Sequence, residues 1–224
     1  MSTSVITGVF IVIIGYLIGS IPSAYLAGKW VKGIDLRQYG SGTVSGSMVW
    51  EHVAHWAIVP VGLFDIFKGS IACWLGLKFG GGLVVATLAG LAAVIGHNWP
   101  VYLHFTGGRG LSPFMGMMLV LFPWGAAWVL AALAIGFLFG DSAPWALASL
   151  ITIPLLSRWL GGESVVGWSA IAMVVVTLVK RVQANGRPLP QEPAERRKVI
   201  LLRLFFDRDI VSHVAWIRRT PAKH

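Results

Sequence analysis

Apolar positions fill this chain in long blocks, and the short segments between the blocks are rich in glycine, serine and charge. Uncharged runs close to or beyond about 18 residues recur along most of its length, which is the mark of membrane-crossing helices rather than of a half-buried surface helix. By that rule the first span covers about Val5 to Ala27, the second Val53 to Leu77 and the third Leu83 to Leu103. The block from Phe114 to Gly140 is longer than one upright helix needs, and Pro123 with Trp124 falls at its middle. A proline there either kinks one helix or opens a second, and two short helices are predicted. A further pair at about Ala143 to Trp159 and Val165 to Val179 brings the expectation to about seven spans. The segment "NGRPLPQEP", Asn185 to Pro193, then reads as a linker. Beyond it, "ERRKVILLRLFFDRDIVSHVAWIRR" mixes apolar and basic positions as an interfacial helix does. The organisation predicted is an all-α polytopic membrane domain over residues 1–184 and a basic cytoplasmic tail over 185–224.

Composition supports the membrane class. An ordinary soluble domain is about 25% charged, whereas this chain is 12% charged and 56% hydrophobic, with a mean hydropathy of +0.74. The single Cys73 leaves no disulfide framework within the chain. A cleaved signal peptide is not expected, because the first run lacks a basic leading segment and an obvious small-residue cleavage site. Charge placement supplies the orientation. Eleven of the 18 Lys and Arg residues fall from Lys180 to Lys223, so the C-terminus is expected in the cytoplasm. Seven spans then put the N-terminus outside. They also place the first loop (Lys29, Lys32, Arg37) and the loop carrying Arg109 inside, leaving Lys78 and Arg158 outside and Lys68 within a span. The basic tail beside a membrane span points to anionic lipid as its partner, and nucleic acid is not expected.

Candidate chemistry gathers in the two glycine-rich loops of the inner face. In "YGSGTVSGS", Tyr39 to Ser47, glycines allow backbone N–H groups to converge on an anion and the hydroxyls add donors; the other reading is a close-packed turn. In "HFTGGRG", His104 to Gly110, the glycines again free the backbone, and Arg109 adds a fork of donors suited to phosphate oxygens. Alone, that loop would equally serve as a positive-inside anchor. Asp65 and Lys68 in "LFDIFKGS" share one helix face inside the second span, either as a structural ion pair or as part of a substrate site. His97 in "GHNWP" is a candidate acid or base, or a packing histidine. Neither His52 nor His55 is followed four residues on by an acid, and no HExxH, GxSxG or P-loop pattern occurs, which disfavours metal and serine-hydrolase chemistry.

The ordered set "GSIPSAYL", "KGIDLRQYGSG", "DIFKG" and "GHNWP…FTGGRG", from Gly19 to Gly110, resembles the bacterial membrane acyltransferases that transfer a fatty acyl group from acyl-phosphate to glycerol 3-phosphate. The resemblance implies a seven-helix protein of the bacterial inner membrane with cytoplasmic substrate loops, working without metal, cofactor or covalent acyl-enzyme. It further implies that Ser41 and the Gly42 backbone bind one phosphate with help from Thr43 and Ser47. Gly107, Gly108 and Arg109 would hold a second, and Asn185 would belong to the site. Several positions depart from the family pattern. The loop the family writes approximately as GSGNxGATN is GSGTVSGSM here, and Glu51 aligns with an arginine that contacts phosphate. GGKG is GGRG, followed by Ser112 and Pro113; the family's HRxN is reduced to "VQAN"; and the tail is extended. These departures leave open an inactive or re-specialised relative that binds lipid or sugar phosphates or a protein partner, with a transporter as a third reading.

Overall fold

The computed structural model describes residues 3–221, so Lys223 of the basic tail lies outside the described residues. Every regular element among them is helical: α1 (Thr3–Gly19), α2 (Ser23–Lys32), α3 (Gly46–His52), α4 (Ile58–Phe79), α5 (Leu83–Asn98), α6 (Leu111–Leu121), α7 (Pro123–Leu138), α8 (Ser142–Trp159), α9 (Ser164–Gln183), α10 (Pro193–Phe206) and α11 (His213–Ile217). Four stretches among the described residues are long and apolar enough to cross a membrane, namely Val5–Lys32, His55–Phe79, Leu83–Leu103 and Ser164–Gly186. Two shorter apolar helices, α6 and α7, accompany them.

Two helical groups share the bundle. Helix α1 packs on α4 and α5, and α4 on α6; α7, α8 and α9 form the second group, with α5 and α9 joining the two. Phe114, Met117, Met118, Val129, Leu150, Ile153 and Met173 fill the shared core. Phe10, Leu63, Phe67, Trp124, Leu155 and Trp168 stay exposed on the outside, as a lipid-facing surface requires. Backbones meet at the α4–α6 crossing, where a Cβ on Gly69 or Gly116 would lie 1.8 Å from the carbonyl oxygen of Pro113 or Ile66. Only glycine permits that approach, which lets Ser70 Oγ donate to Gly116 O at 2.8 Å.

Proline interrupts two of the expected spans, and another starts later than expected. The first is not one helix from Val5 to Ala27: α1 stops at Gly19, and α2 starts at Ser23 after a break at Ser20–Pro22. Pro22 brings no N–H to the helix ladder and biases Ile21 away from helical backbone. The second span starts later than Val53, because the short α3 and a 3₁₀ turn (His55–Ala57) precede α4. Pro60 sits in the first turn of α4, where a missing N–H costs nothing. The third stops as a helix at Asn98, before Trp99 and Pro100, and a 3₁₀ turn (Val101–Leu103) completes the stretch. Between Leu111 and Leu138 the chain does form two short helices, with Pro123 at the first position of the second.

Candidate functional site

The break in the first span exposes backbone that must find partners inside the bundle. Lys68 supplies one: its Nζ donates to Ile21 O at 2.7 Å and lies 2.5 Å from Asp65 Oδ1. Ser23, at the start of α2, donates its hydroxyl to the same carboxylate oxygen at 2.5 Å. His97 on α5 is the fourth member, with Nδ1 3.7 Å from Asp65 Oδ1. Asp65 and Lys68 are both almost wholly buried. Their cluster stands behind a narrow pocket lined by Ser20, Ser23, Val44, His97, Leu103 and Gly107.

That pocket lies where the two glycine-rich loops meet. Val44 N–H donates to Gly107 O at 3.2 Å, and Gly108 N–H to His97 O at 3.0 Å. A Cβ on Gly108 would fall 2.2 Å from His97 Nε2 and 2.8 Å from Val44 O, so glycine is needed here for close approach. Asn185, past the end of α9 in left-handed backbone at φ 52°, reaches between the loops. Its Nδ2 donates to Gly42 O at 2.9 Å and to Gly107 O at 3.1 Å. Along the first loop the hydroxyls form a chain: Ser41 Oγ to Thr43 Oγ1 at 2.6 Å, Thr43 to Ser45 at 3.0 Å and Ser45 to Ser47 at 3.1 Å. Ser41 and Thr43 are buried, and Ser47 lies nearer the surface. The structure therefore gathers Ser41, Gly42, Thr43, Ser47, Gly107, Gly108 and Asn185 at one end of the bundle, with His97 beneath them.

Cations surround the junction. Arg109 Nε donates to both oxygens of Asp207, at 2.8 and 2.7 Å. Arg187 Nη2 donates to Gly40 O at 2.5 Å, while its Nη1 lies 3.8 Å from Asp209. Burial holds the Arg187 guanidinium below its ordinary pKa, against the pull of Asp209. Lys180 is buried, donates to Asn98 O and has its ammonium 4.9 Å from the centre of the Trp99 ring. Glu51, which the resemblance sets against an arginine, pairs with Arg218 at 3.2 Å. The anion brought in by that departure is thus met by a cation from the tail.

Ser23, Asn98, Lys180, Arg187 and Asp207 join this region without having been singled out from sequence. Asn98 lies inside the quoted "GHNWP" and Arg187 inside the linker, but their neighbours are far away along the chain. Asp207 carries no local signal, since its partner Arg109 is 98 residues distant.

A helical membrane protein whose two glycine-rich loops close on each other at one end is the class that fold and geometry define. The chain belongs to the glycerol-3-phosphate acyltransferase family, whose model matches residues 9–189. It is 37% identical to glycerol-3-phosphate acyltransferase 4 of Dehalococcoides mccartyi (strain CBDB1), over 96% of each chain. It is 40% identical to the glycerol-3-phosphate acyltransferase of Parasynechococcus marenigrum (strain WH8102), over 82% of this chain and 84% of that one. Its backbone is similar to the crystal structure of the integral membrane glycerol 3-phosphate acyltransferase PlsY (YgiH) in the glycerol 3-phosphate form. There the TM-score is 0.74 and the identity 27%, covering 93% of this chain and 97% of the other. The lysophosphatidic acid form of PlsY matches with a TM-score of 0.70 and 29% identity, covering 80% of this chain and 90% of that one.

Proposed function

We propose that this chain moves a fatty acyl group from acyl-phosphate to glycerol 3-phosphate, forming lysophosphatidic acid at the cytoplasmic face of a bacterial membrane. Seven spans, with the N-terminus outside and the C-terminus inside, accompany that reading. Acyl-phosphate is a mixed anhydride, so its phosphate is already a good leaving group. The acceptor hydroxyl attacks the acyl carbonyl carbon, the new C–O ester bond forms, and the C–O bond to phosphate breaks. The hydroxyl proton passes to a phosphate oxygen of donor or acceptor, so no protein nucleophile is required. The protein's share is alignment and charge stabilisation. Ser41, Thr43 and Ser47 with the Gly42 backbone would hold one phosphate, and Arg109 with Gly107 and Gly108 the other. His97 stands beside the pocket as a positioning group for the second loop.

The observation that carries this reading is the clamp of Asn185 on Gly42 and Gly107, which sets both loops over one pocket. Glu51 pairs with Arg218 and does not stand as an unpaired anion near the loops, which supports the catalytic reading over an inactive relative. In vesicles supplied with acyl-phosphate and radiolabelled glycerol 3-phosphate, the wild-type chain should form labelled lysophosphatidic acid. Arg109→Ala should lower kcat/KM by at least about tenfold, the scale of a lost charge-assisted contact. Equal turnover by both proteins would remove Arg109 from the site.

A further inference from the structure

The family match ends at residue 189, yet the partner of Arg109 comes from beyond it. Asp207 closes α10 in left-handed backbone, φ 54°, a conformation that aspartate tolerates better than most residues. That turn aims its carboxylate at Arg109, and both oxygens accept from the single Nε–H. Nη1 of the same guanidinium is buried and makes no hydrogen bond. The carboxylate therefore grips one edge of the fork and leaves a donor on another. Next to this loop Asn98 is completely buried, and neither polar atom of its side chain has a hydrogen-bond partner. A Cβ on Gly110 would lie only 2.7 Å from Asn98 Oδ1, so the side chain is pressed against the loop that carries Arg109. Buried donors are ordinarily satisfied. Here two belong to one stretch: Nη1 of Arg109, which precedes Gly110 in the chain, and Nδ2 of Asn98, whose side chain lies against Gly110.

We propose that Asp207 is a positioning residue for phosphate recognition: by holding Nε it sets the Arg109 guanidinium so that Nη1, with Asn98 Nδ2, meets the oxygens of a substrate phosphate. The inference rests on the assignment of Arg109 to a phosphate in the preceding subsection. It gives the extended tail a part in the site, because α10 ends where this carboxylate is needed. The segment is held independently of Asp207. Arg203 Nη1 donates to Val182 O at 3.0 Å, Arg208 pairs with Asp141, and His52 Nε2 lies 2.7 Å from Ile217 O. Removing one carboxylate charge should leave the strap seated.

The test compares kcat and KM for acyl-phosphate and for glycerol 3-phosphate in the full chain reconstituted in vesicles. Asp207→Asn should raise KM for one of the two about tenfold while kcat stays within about threefold, the pattern of weakened binding. Asp207→Glu, which keeps the charge, should recover most of that loss. In an Arg109→Lys background, which lacks the Nε–H, Asp207→Asn should add nothing further. A fall in KM for Asp207→Asn would overturn the inference, since the carboxylate would then compete with substrate. Equal losses in both backgrounds with a lowered thermal midpoint would also overturn it, by making the role purely structural. An unchanged KM in Asp207→Asn alongside an impaired Arg109→Ala would sink the inference alone, whereas a fully active Arg109→Ala would remove the phosphate assignment beneath it.

Discussion

Lys68 and Asp65 carry opposite charges three residues apart within a membrane span, and their surroundings give each charge a use. Ile21 O, freed by the break before Pro22, accepts from Lys68, and the Ser23 hydroxyl donates to Asp65. The pair ties α4 to the break and to the start of α2 beyond it. Breaking such a pair by removing one member leaves an uncompensated buried charge, a loss of about 3–5 kcal/mol. Lys68→Met should therefore lower the thermal unfolding midpoint in detergent strongly, and Asp65→Asn in the same chain should restore part of it. If the double variant is no more stable than Lys68→Met, the ion pair is not what holds this junction. Spacing alone put both residues on one face, but not the identity of their partners on another helix.

At the scale of elements, proline and glycine mark where the apolar blocks divide or touch. Pro123 opens α7 as its position in the block suggested, because an N–H is not needed at a helix's first residue. Pro22 lay inside a block that hydropathy alone joined, and the polar partners supplied by α4 are what let the chain break there. Helix α10 presents two faces. Val199 and Arg203 are buried, while Arg196, Arg197, Lys198, Leu201 and Phe205 remain exposed. Basic residues beside apolar ones suit the headgroup region of an anionic leaflet. Activity is expected to be higher in phosphatidylglycerol than in phosphatidylcholine vesicles, and with Arg196, Arg197 and Lys198 all changed to Gln that difference should shrink several-fold. An unchanged advantage would leave this face without a role at the lipid surface.

For the whole molecule, the decisive property is that distant segments share one end of the bundle. Val44 and Gly107 are joined through backbone, and Asn185 reaches both loops. With the positive-inside distribution, the proposed function predicts that both loops face the cytoplasm. Single cysteines at Ser47 and Thr106, in a chain with Cys73→Ala, should both react with a membrane-impermeant maleimide added to inside-out vesicles. Neither should react in right-side-out vesicles. Labelling from opposite sides would exclude a common pocket.

By itself, the sequence determined the helical membrane class, the two short helices around Pro123 and the identity of the glycine-rich loops. These features are written in local run length, in proline chemistry and in contiguous motifs, none of which needs a distant partner. Tertiary structure alone decided that α1 and α2 are separate, that Glu51 meets Arg218, that Asn185 bridges two loops, and that Asp207 from the tail holds Arg109. Each of these depends on groups brought together by packing from positions tens of residues or more apart, where hydropathy and spacing carry no information about which side chain a freed carbonyl or a buried guanidinium will meet.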